Sequence, residues 1–212
     1  MNLADLRREY SKSGLRRDDL DLTPIVQFQT WFAQALDAQL VEPSAITLAT
    51  ADATGRPSAR IVLLKAVDDR GFTFFTNYES RKGRELAANP HAALVCYWAE
   101  LEREVLIAGE VSKVSREESA EYFAKRPRGS QLGAWVSKQS SVVHGRGDLE
   151  RELAEVEARF TGRDVDLPPY WGGYVLNPAR VEFWQGRPNR LHDRFQYTRQ
   201  PGGLWRIERL SP

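Results

Sequence analysis

The sequence predicts a mainly β domain, an antiparallel barrel with peripheral helices. Three observations carry that expectation. Short runs rich in β-branched and aromatic residues recur, and turn chemistry of the kind that makes hairpins separates them. Helical stretches do not alternate regularly with these runs, as the crossovers of a parallel sheet would. The 212 residues suit one hydrophobic core, and no repeat, low-complexity tract or Pro/Ser-rich linker divides them.

Taken in order, residues 3–10 read as a short helix and residues 16–22 as a charged, irregular stretch. Thr23-Pro24 is a helix start, a cap residue followed by proline at the first helical position. Ile25, Phe28, Phe32, Ala35, Leu36 and Leu40 then recur at helical spacing, so the helix is expected through Gln39 with that stripe in the core. Strands are expected over 45–50 and 58–66, joined by Asp52-Ala-Thr-Gly55, and over 72–76 after the turn Asp68-Asp-Arg-Gly71. Residues 80–89 read as a helix stopped by Pro90. Strands follow over 92–99 and 103–114. Ser115-Arg-Glu-Glu118 is a capping box that opens a helix carrying Tyr122 and Arg126. Residues 148–160 are amphipathic through Leu149, Leu153, Val156 and Phe160, with Gly162 as the stop. Four strands complete the chain, over 173–176, 180–184, 195–198 and 204–208, the last two joined by Pro201-Gly-Gly203.

Composition excludes several functions. The formal net charge is +1, and no run of basic residues forms a stripe for a phosphate backbone, which argues against nucleic acid. The single cysteine, Cys96, lies in an apolar run and reads as a small core residue; a reducing compartment is consistent. No apolar stretch resembles a signal peptide or is long enough to span a bilayer, so a cytoplasmic protein without membrane contact is expected. His91, His144 and His192 lie far apart without metal-ligand spacing, so no metal site is expected. There is neither a Gly-rich dinucleotide fingerprint nor a phosphate loop.

Several clusters ask for anions. Arg187, Arg190, His192 and Arg194 fall within eight residues. Guanidinium groups bind phosphate through paired hydrogen bonds, and histidine titrates near neutrality. A solvated Arg-rich turn is the plain alternative. Arg60 and Lys65 are five apart on a strand and so face opposite sides unless a bulge intervenes. Ser80-Arg81-Lys82 starts a helix, where free N–H groups attract anions; cations there run against the helix dipole and want an explanation. Tyr122 and Arg126 share a helix face at i and i+4, and Ser130 follows, which makes either a phosphate cradle or a stacked surface pair.

In this order, Arg60 to Lys65, Thr76 to Lys82, Arg126 to Gln131, Ser137 to Ser141 and Arg187 to Phe195 resemble the pyridoxamine 5′-phosphate oxidase family almost end to end. Leu6 to Tyr10, Gly14 to Arg17 and Trp171-Gly-Gly resemble it too. The resemblance implies one FMN-binding split-barrel domain over residues 1–212, with residues 1–22 as a flexible N-terminal lid segment. It implies a homodimer with FMN at the interface, oxidising pyridoxamine 5′-phosphate and pyridoxine 5′-phosphate to pyridoxal 5′-phosphate, with oxygen as acceptor and hydrogen peroxide released. By the same comparison FMN would be held by Arg60, Ile61, Val62, Leu63, Leu64, Lys65, Phe75, Thr76, Arg81, Lys82, Glu104, Gln139, Ser140, Trp184 and Arg194. Gln139 and Ser140 would reach the flavin bound mainly by the other subunit. Substrate would be held by Arg7, Arg8, Glu9, Tyr10, Lys65, Tyr122, Arg126, Ser130, Arg190, Leu191 and His192, with Arg190 and His192 catalytic. Two departures stand out: Glu104 where the family usually has glutamine, and Phe75 where it usually has tyrosine. The rival readings are an oxidase of another aromatic substrate, such as a phenazine precursor, and a non-catalytic carrier of flavin or pyridoxal phosphate.

Overall fold

The computed structural model describes residues 9–212. Its strands are β1 (Ala45–Ala51), β2 (Pro57–Asp68), β3 (Gly71–Asn77), β4 (His91–Trp98), β5 (Arg103–Lys113), β6 (Trp171–Gln185), β7 (Asp193–Arg199) and β8 (Trp205–Leu210). Its α-helices are α1 (Pro24–Asp37), α2 (Arg81–Ala88), α3 (Arg116–Ala124), α4 (Arg128–Val136) and α5 (Arg146–Arg159). All strand pairs are antiparallel, in the order β3-β2-β1-β4-β5-β6. β6 returns to β3 and closes a six-stranded barrel; β7 and β8 extend from β6. The expected β architecture with peripheral helices is therefore the observed one.

The long strand β6 explains the closure. Its first half, Trp171–Leu176, pairs with β3, and its second half, Arg180–Gln185, pairs with β7. The sequence suggested two separate strands because Asn177-Pro178-Ala179 interrupts the pattern. Proline lacks the donor that a regular ladder needs and is tolerated at a bulge. Here the register of β5 against β6 shifts between Ala108 and Gly109, opposite Pro178. Gly109 permits that approach: a Cβ there would lie 2.0 Å from the Asn177 carbonyl oxygen.

Ile46, Leu48, Phe72, Phe74, Leu94, Ile107, Val181 and Phe183 fill the barrel. α1 covers one opening with Ile25, Phe28, Trp31 and Ala35. Thr23 caps it, its hydroxyl accepting the Val26 N–H at 3.4 Å. Leu36, expected in the core, is 54% exposed, and Trp31 takes that role. Trp31 meets the Phe183 ring edge-on at 5.1 Å, on the face that Leu36 turns away from. The helix ends at Asp37, and Gln39 is left-handed with φ 54°.

A second apolar cluster, with Phe123, Leu132, Phe160 and Trp171, lies under α3, α4 and α5. α4 was not expected: its two glycines weaken the helical signal, and its apolar face is short. The box at Ser115 is half made. Ser115 accepts the Glu118 N–H at 3.0 Å, while the Glu118 carboxylate turns to Arg70 at 2.7 Å. The expected helix over residues 3–10 falls almost wholly outside the described residues, and Glu9 and Tyr10 are non-helical. Among the described residues no helix is long and apolar enough to cross a membrane. Cys96 is buried, and burial pushes its thiol up to about 12, far from a nucleophile's range.

Candidate active site

β2, β3, α2 and the α3–α4 region frame a cleft of about 610 Å³. β2 supplies one wall of it. Ile61, Val62, Leu63 and Lys65 line the cleft, whereas Leu64 joins the core. The register of β2 against β3 slips between Leu64 and Ala66, a bulge at Lys65. Arg60 points away from the cleft. Its guanidinium donates to the Leu48 carbonyl and to Thr50, Ser58 and Glu85. Arg60 and Leu64 therefore do not line the cleft.

At one part of the cleft, Thr76, Lys82 and Gln139 are hydrogen-bonded together. Lys82 Nζ donates to Gln139 Oε1 at 2.8 Å, and Thr76 Oγ1 donates to the same oxygen at 3.2 Å. Lys82 is 9% exposed. Burial, aided by the nearby Arg60 charge, lowers its pKa, while Glu85 opposes the shift. Ser80 caps α2, accepting the Gly83 N–H at 3.3 Å. The free Arg81 N–H donates to Ser140 Oγ at 3.2 Å. Gln139 thus lines the cleft of its own chain, and Ser140 next to it is bonded to the start of α2. The turn after α4 brings them back over α2.

Aromatic packing shapes the rest. Phe75 stacks on Tyr122 at 4.0 Å and on Trp171 at 5.6 Å. Arg126 lies over the Trp171 ring at 4.6 Å. It sits beyond the end of α3, not on it as expected, yet it lines the cleft with Tyr122 and Ser130. Burial lowers the Arg126 pKa, and its Nη1 is buried with no hydrogen-bond partner. An orphaned guanidinium nitrogen on a residue that lines the cleft with Lys65 and Ser130 fits an anionic ligand. Asn77, Pro127, Gly133, Ala134, Ser137 and Trp171 also line the cleft. Asn77, Pro127, Ser137 and Trp171 lay within the resembling motifs without being singled out as site residues, and Gly133 and Ala134 carried no chemical signal.

Glu85 was also missed. Its carboxylate accepts from Thr50 at 2.5 Å, Ser58 at 2.6 Å, Arg81 at 2.8 Å and Arg60 at 3.2 Å. Burial pushes its pKa up, but those bonds outweigh burial and hold it at about 2. The i, i+4 spacing of Arg81 and Glu85 was its one sequence signal.

The remaining candidates form a separate group. Glu104 of β5, Trp184 of β6 and Arg194 of β7 are register partners in one row. His192 packs on Trp184 at 4.6 Å, and Tyr10 stands edge-on to both rings. The Arg187 N–H donates to His192 Nδ1 at 3.1 Å, which leaves Nε2 to carry the proton of the neutral ring. Burial and the charges of Arg190 and Arg194 lower the His192 pKa. Arg194 pairs with Glu182 at 2.7 Å. Burial and Glu182 raise the Glu104 pKa against Arg194. Arg190 is exposed in a left-handed turn with φ 60°, next to the exposed Leu191. None of these residues lines the cleft within one chain. Glu9 is exposed, and Arg7 and Arg8 lie outside the described residues. No group of three or more metal-ligating side chains occurs among the described residues.

Comparison with known proteins adds the family. Residues 32–160 match the model described as pyridoxamine 5′-phosphate oxidase. Residues 171–212 match a pyridoxine 5′-phosphate oxidase C-terminal dimerisation region. The chain is 60% identical to a pyridoxine/pyridoxamine 5′-phosphate oxidase of Paraburkholderia phymatum over 99% of both chains. It is 57% identical to one of Cyanothece sp., covering 100% of this chain and 99% of that one. Among solved structures, PhzG of Burkholderia lata in complex with tetrahydrophenazine-1-carboxylic acid aligns with a TM-score of 0.87 at 34% identity, covering 92% of this chain and 95% of that one. A pyridoxamine 5′-phosphate oxidase-related FMN-binding protein from Nostoc punctiforme aligns at 0.72 and 19% identity, over 91% and 100%, which supports the fold alone.

Proposed function

The chain belongs to the pyridoxamine 5′-phosphate oxidase family, and on that premise we propose that it oxidises pyridoxamine 5′-phosphate and pyridoxine 5′-phosphate to pyridoxal 5′-phosphate using FMN. The observation that carries this reading is the orphaned Arg126 Nη1 in a cleft shared with Lys65, Tyr122 and Ser130. A dianionic phosphate satisfies that donor and offsets the clustered charge.

The residues present also fit FMN. Lys82 is nearly buried with an uncharged hydrogen-bond partner, at the first turn of α2. Thr76, Gln139 and Ser140 supply neutral groups around it. FMN held there would supply a hydride acceptor for the substrate's 4′ carbon, with oxygen taking two electrons and two protons to become hydrogen peroxide; with the amine substrate, water then hydrolyses the resulting imine and ammonia leaves. The chain's own part is binding and orientation. Lys65, Tyr122, Arg126 and Ser130 hold the substrate phosphate. Phe123 and Trp171 pack on the guanidinium of Arg126 and keep it partly dry. Arg190 and His192 orient the pyridine ring; His192, whose pKa burial and then the neighbouring cations lower, can donate from Nε2.

Arg190, His192, Trp184 and Arg194 stand apart from the cleft of their own chain, so this reading needs a second copy. A homodimer in which each cleft receives these residues from the partner subunit completes the site. The match of residues 171–212 to a dimerisation region supports it. So does an outward row across four strands, Ile61, Thr47, Val95 and Leu106, in which Ile61 and Leu106 are exposed.

PhzG gives weight to the second reading, a larger aromatic substrate. A phosphate-free ring system leaves Arg126 and Lys65 unpaired, so the cradle favours the phosphorylated substrates. The test is peroxide release with pyridoxamine 5′-phosphate, for the parent and for Lys65→Ala. Removing one charged hydrogen bond should raise KM by roughly ten- to hundredfold with FMN still bound. Loss of flavin absorbance with unchanged KM would move Lys65 from the substrate site to the cofactor site. Equal turnover of unphosphorylated pyridoxamine would sink the phosphate reading.

A further inference from the structure

The strap formed by residues 9–15 carries a device that the proposed reaction has not used. Ser11 and Lys12 both donate their backbone N–H groups, each at 3.0 Å, to one oxygen of Glu102. Glu102 is 91 residues away from Ser11, in the turn between β4 and β5, and is 2% exposed. It is also left-handed, with φ 55° and ψ 41°. Such a position is strained for a residue with a side chain and relaxes with glycine. Here the side chain is used: it reaches the strap.

Three neighbouring features act in the same direction. The Glu102 carbonyl accepts the Gly186 N–H at 2.8 Å and Gln185 Nε2 at 3.1 Å, which ties the turn to the end of β6. Gly186 leaves room for the Tyr10 ring, since a Cβ there would lie 2.7 Å from it. Further along the strap, Asp193 accepts the Leu15 N–H at 3.0 Å, and Leu15 is buried. Immediately before the first anchor Tyr10 lies against Trp184 and His192, at 5.4 and 5.5 Å between ring centroids.

We propose that Glu102 is a positioning residue: its buried carboxylate clamps the strap backbone and thereby seats Tyr10 on the Trp184–His192 pair that serves the substrate. The chemistry asks for this arrangement. A strap in extended backbone has no ladder of its own, so its N–H groups need acceptors when they pack down. A carboxylate taking two successive N–H groups fixes both the register and the direction of the segment. One residue further along the strap, the wrong side chain would face His192. The inference rests on the proposed function only for the meaning of that pair; the clamp itself is a matter of chain geometry.

The test uses the full-length flavin-loaded protein and three variants. Glu102→Gln keeps an acceptor oxygen. Glu102→Ala removes it. Glu102→Gly removes it while relaxing the left-handed backbone, and so covers a folding failure of the alanine variant. Trypsin cleavage after Lys12 and Arg16 under native conditions reads the strap directly, because a docked segment must open before it is cut. Cleavage should run about tenfold faster in Glu102→Gly than in the parent, with Glu102→Gln close to the parent. KM for pyridoxamine 5′-phosphate should rise by about the same factor with flavin content unchanged. If Glu102 acts through Tyr10, Tyr10→Ala combined with Glu102→Gly should be no worse than Tyr10→Ala alone. Parental cleavage in Glu102→Gly overturns the clamp, and additive losses in the double variant overturn its action through Tyr10. A parent that releases no peroxide removes the proposed function, and the clamp is then decided by cleavage alone.

Discussion

Glu104 shows how one residue can carry a consequence through its neighbours. It lies half-buried on β5, with Trp184 opposite and the Glu182 carboxylate nearby. Burial first, then Glu182, raises its pKa, and Arg194 opposes the rise. A raised carboxyl pKa means that the folded protein holds this proton more tightly than the unfolded chain does. Ionisation therefore costs stability, and the cost appears as pH rises through the ordinary carboxylate range toward the raised value. Glu104→Gln removes the cost and keeps a polar side chain that can both donate and accept. The variant should melt with the parent at low pH and above it near neutrality. A constant gap between the melting temperatures across pH would mean that packing, not charge, separates them. The same substitution should raise the potential of a bound flavin at neutral pH if the carboxylate lies beside the ring.

At the scale of elements, α2 behaves in the opposite sense. Its first turn carries Arg81 and Lys82, against the helix dipole, and Glu85 one turn later draws in Arg81 and, across the barrel wall, Arg60. Glu85 is held at about 2 against an ordinary 4.5. A depressed carboxyl pKa contributes stability that is fully present above the unfolded value and is lost as pH falls through the folded one. Glu85→Gln should therefore lose stability above pH ~5, by about 1–3 kcal/mol for a charged hydrogen bond, and match the parent near pH ~2. Urea melts at both pH values check it; an equal loss at both would mean that Arg60 and Arg81 do not sense the charge. Much of this scale was legible in the sequence. Thr23-Pro24, Ser80 and Ser115 marked helix starts by local chemistry that acts within four residues. The opposite faces of Arg60 and Lys65 followed from alternation only if no bulge intervened, and β2 does bulge at Lys65. The continuity of β6 did not follow, because Pro178 breaks the local pattern and the pairing of β5 and β3 on either edge restores it. Nor did Glu102, whose acceptors' partners lie 90 and 91 residues away. Arg126 and Ser130 were identified by resemblance; the aromatic stack that buries Arg126 joins residues 75, 122 and 171, which no spacing rule connects.

At the scale of the whole molecule, the closed barrel separates two sets of side chains that the proposed reaction needs together. β2 and β3 present the cleft with Lys65, while the far ends of β5, β6 and β7 present Glu104, Trp184 and Arg194. A rigid closed barrel cannot fold one set onto the other, because every strand in it is held on both edges. Association of two copies about a two-fold axis can, since each copy then offers both sets and two equivalent sites form. The consequence is testable without knowing the interface. Lys65→Ala weakens only the cleft, and Arg190→Met removes only the orienting cation, so each homodimer should be impaired in both of its sites. Co-expression of the two, with different affinity tags and isolation of the mixed dimer, should recover one intact site per dimer and turnover well above either parent variant. The recovered site should show the unmodified protein's KM, because its cleft and its Arg190 come from different unmutated subunits. If the mixed dimer is no more active than the homodimers, the cleft and Arg190 must come from the same chain. The separation of the two sets then has to be bridged by movement of residues 186–192 rather than by a partner.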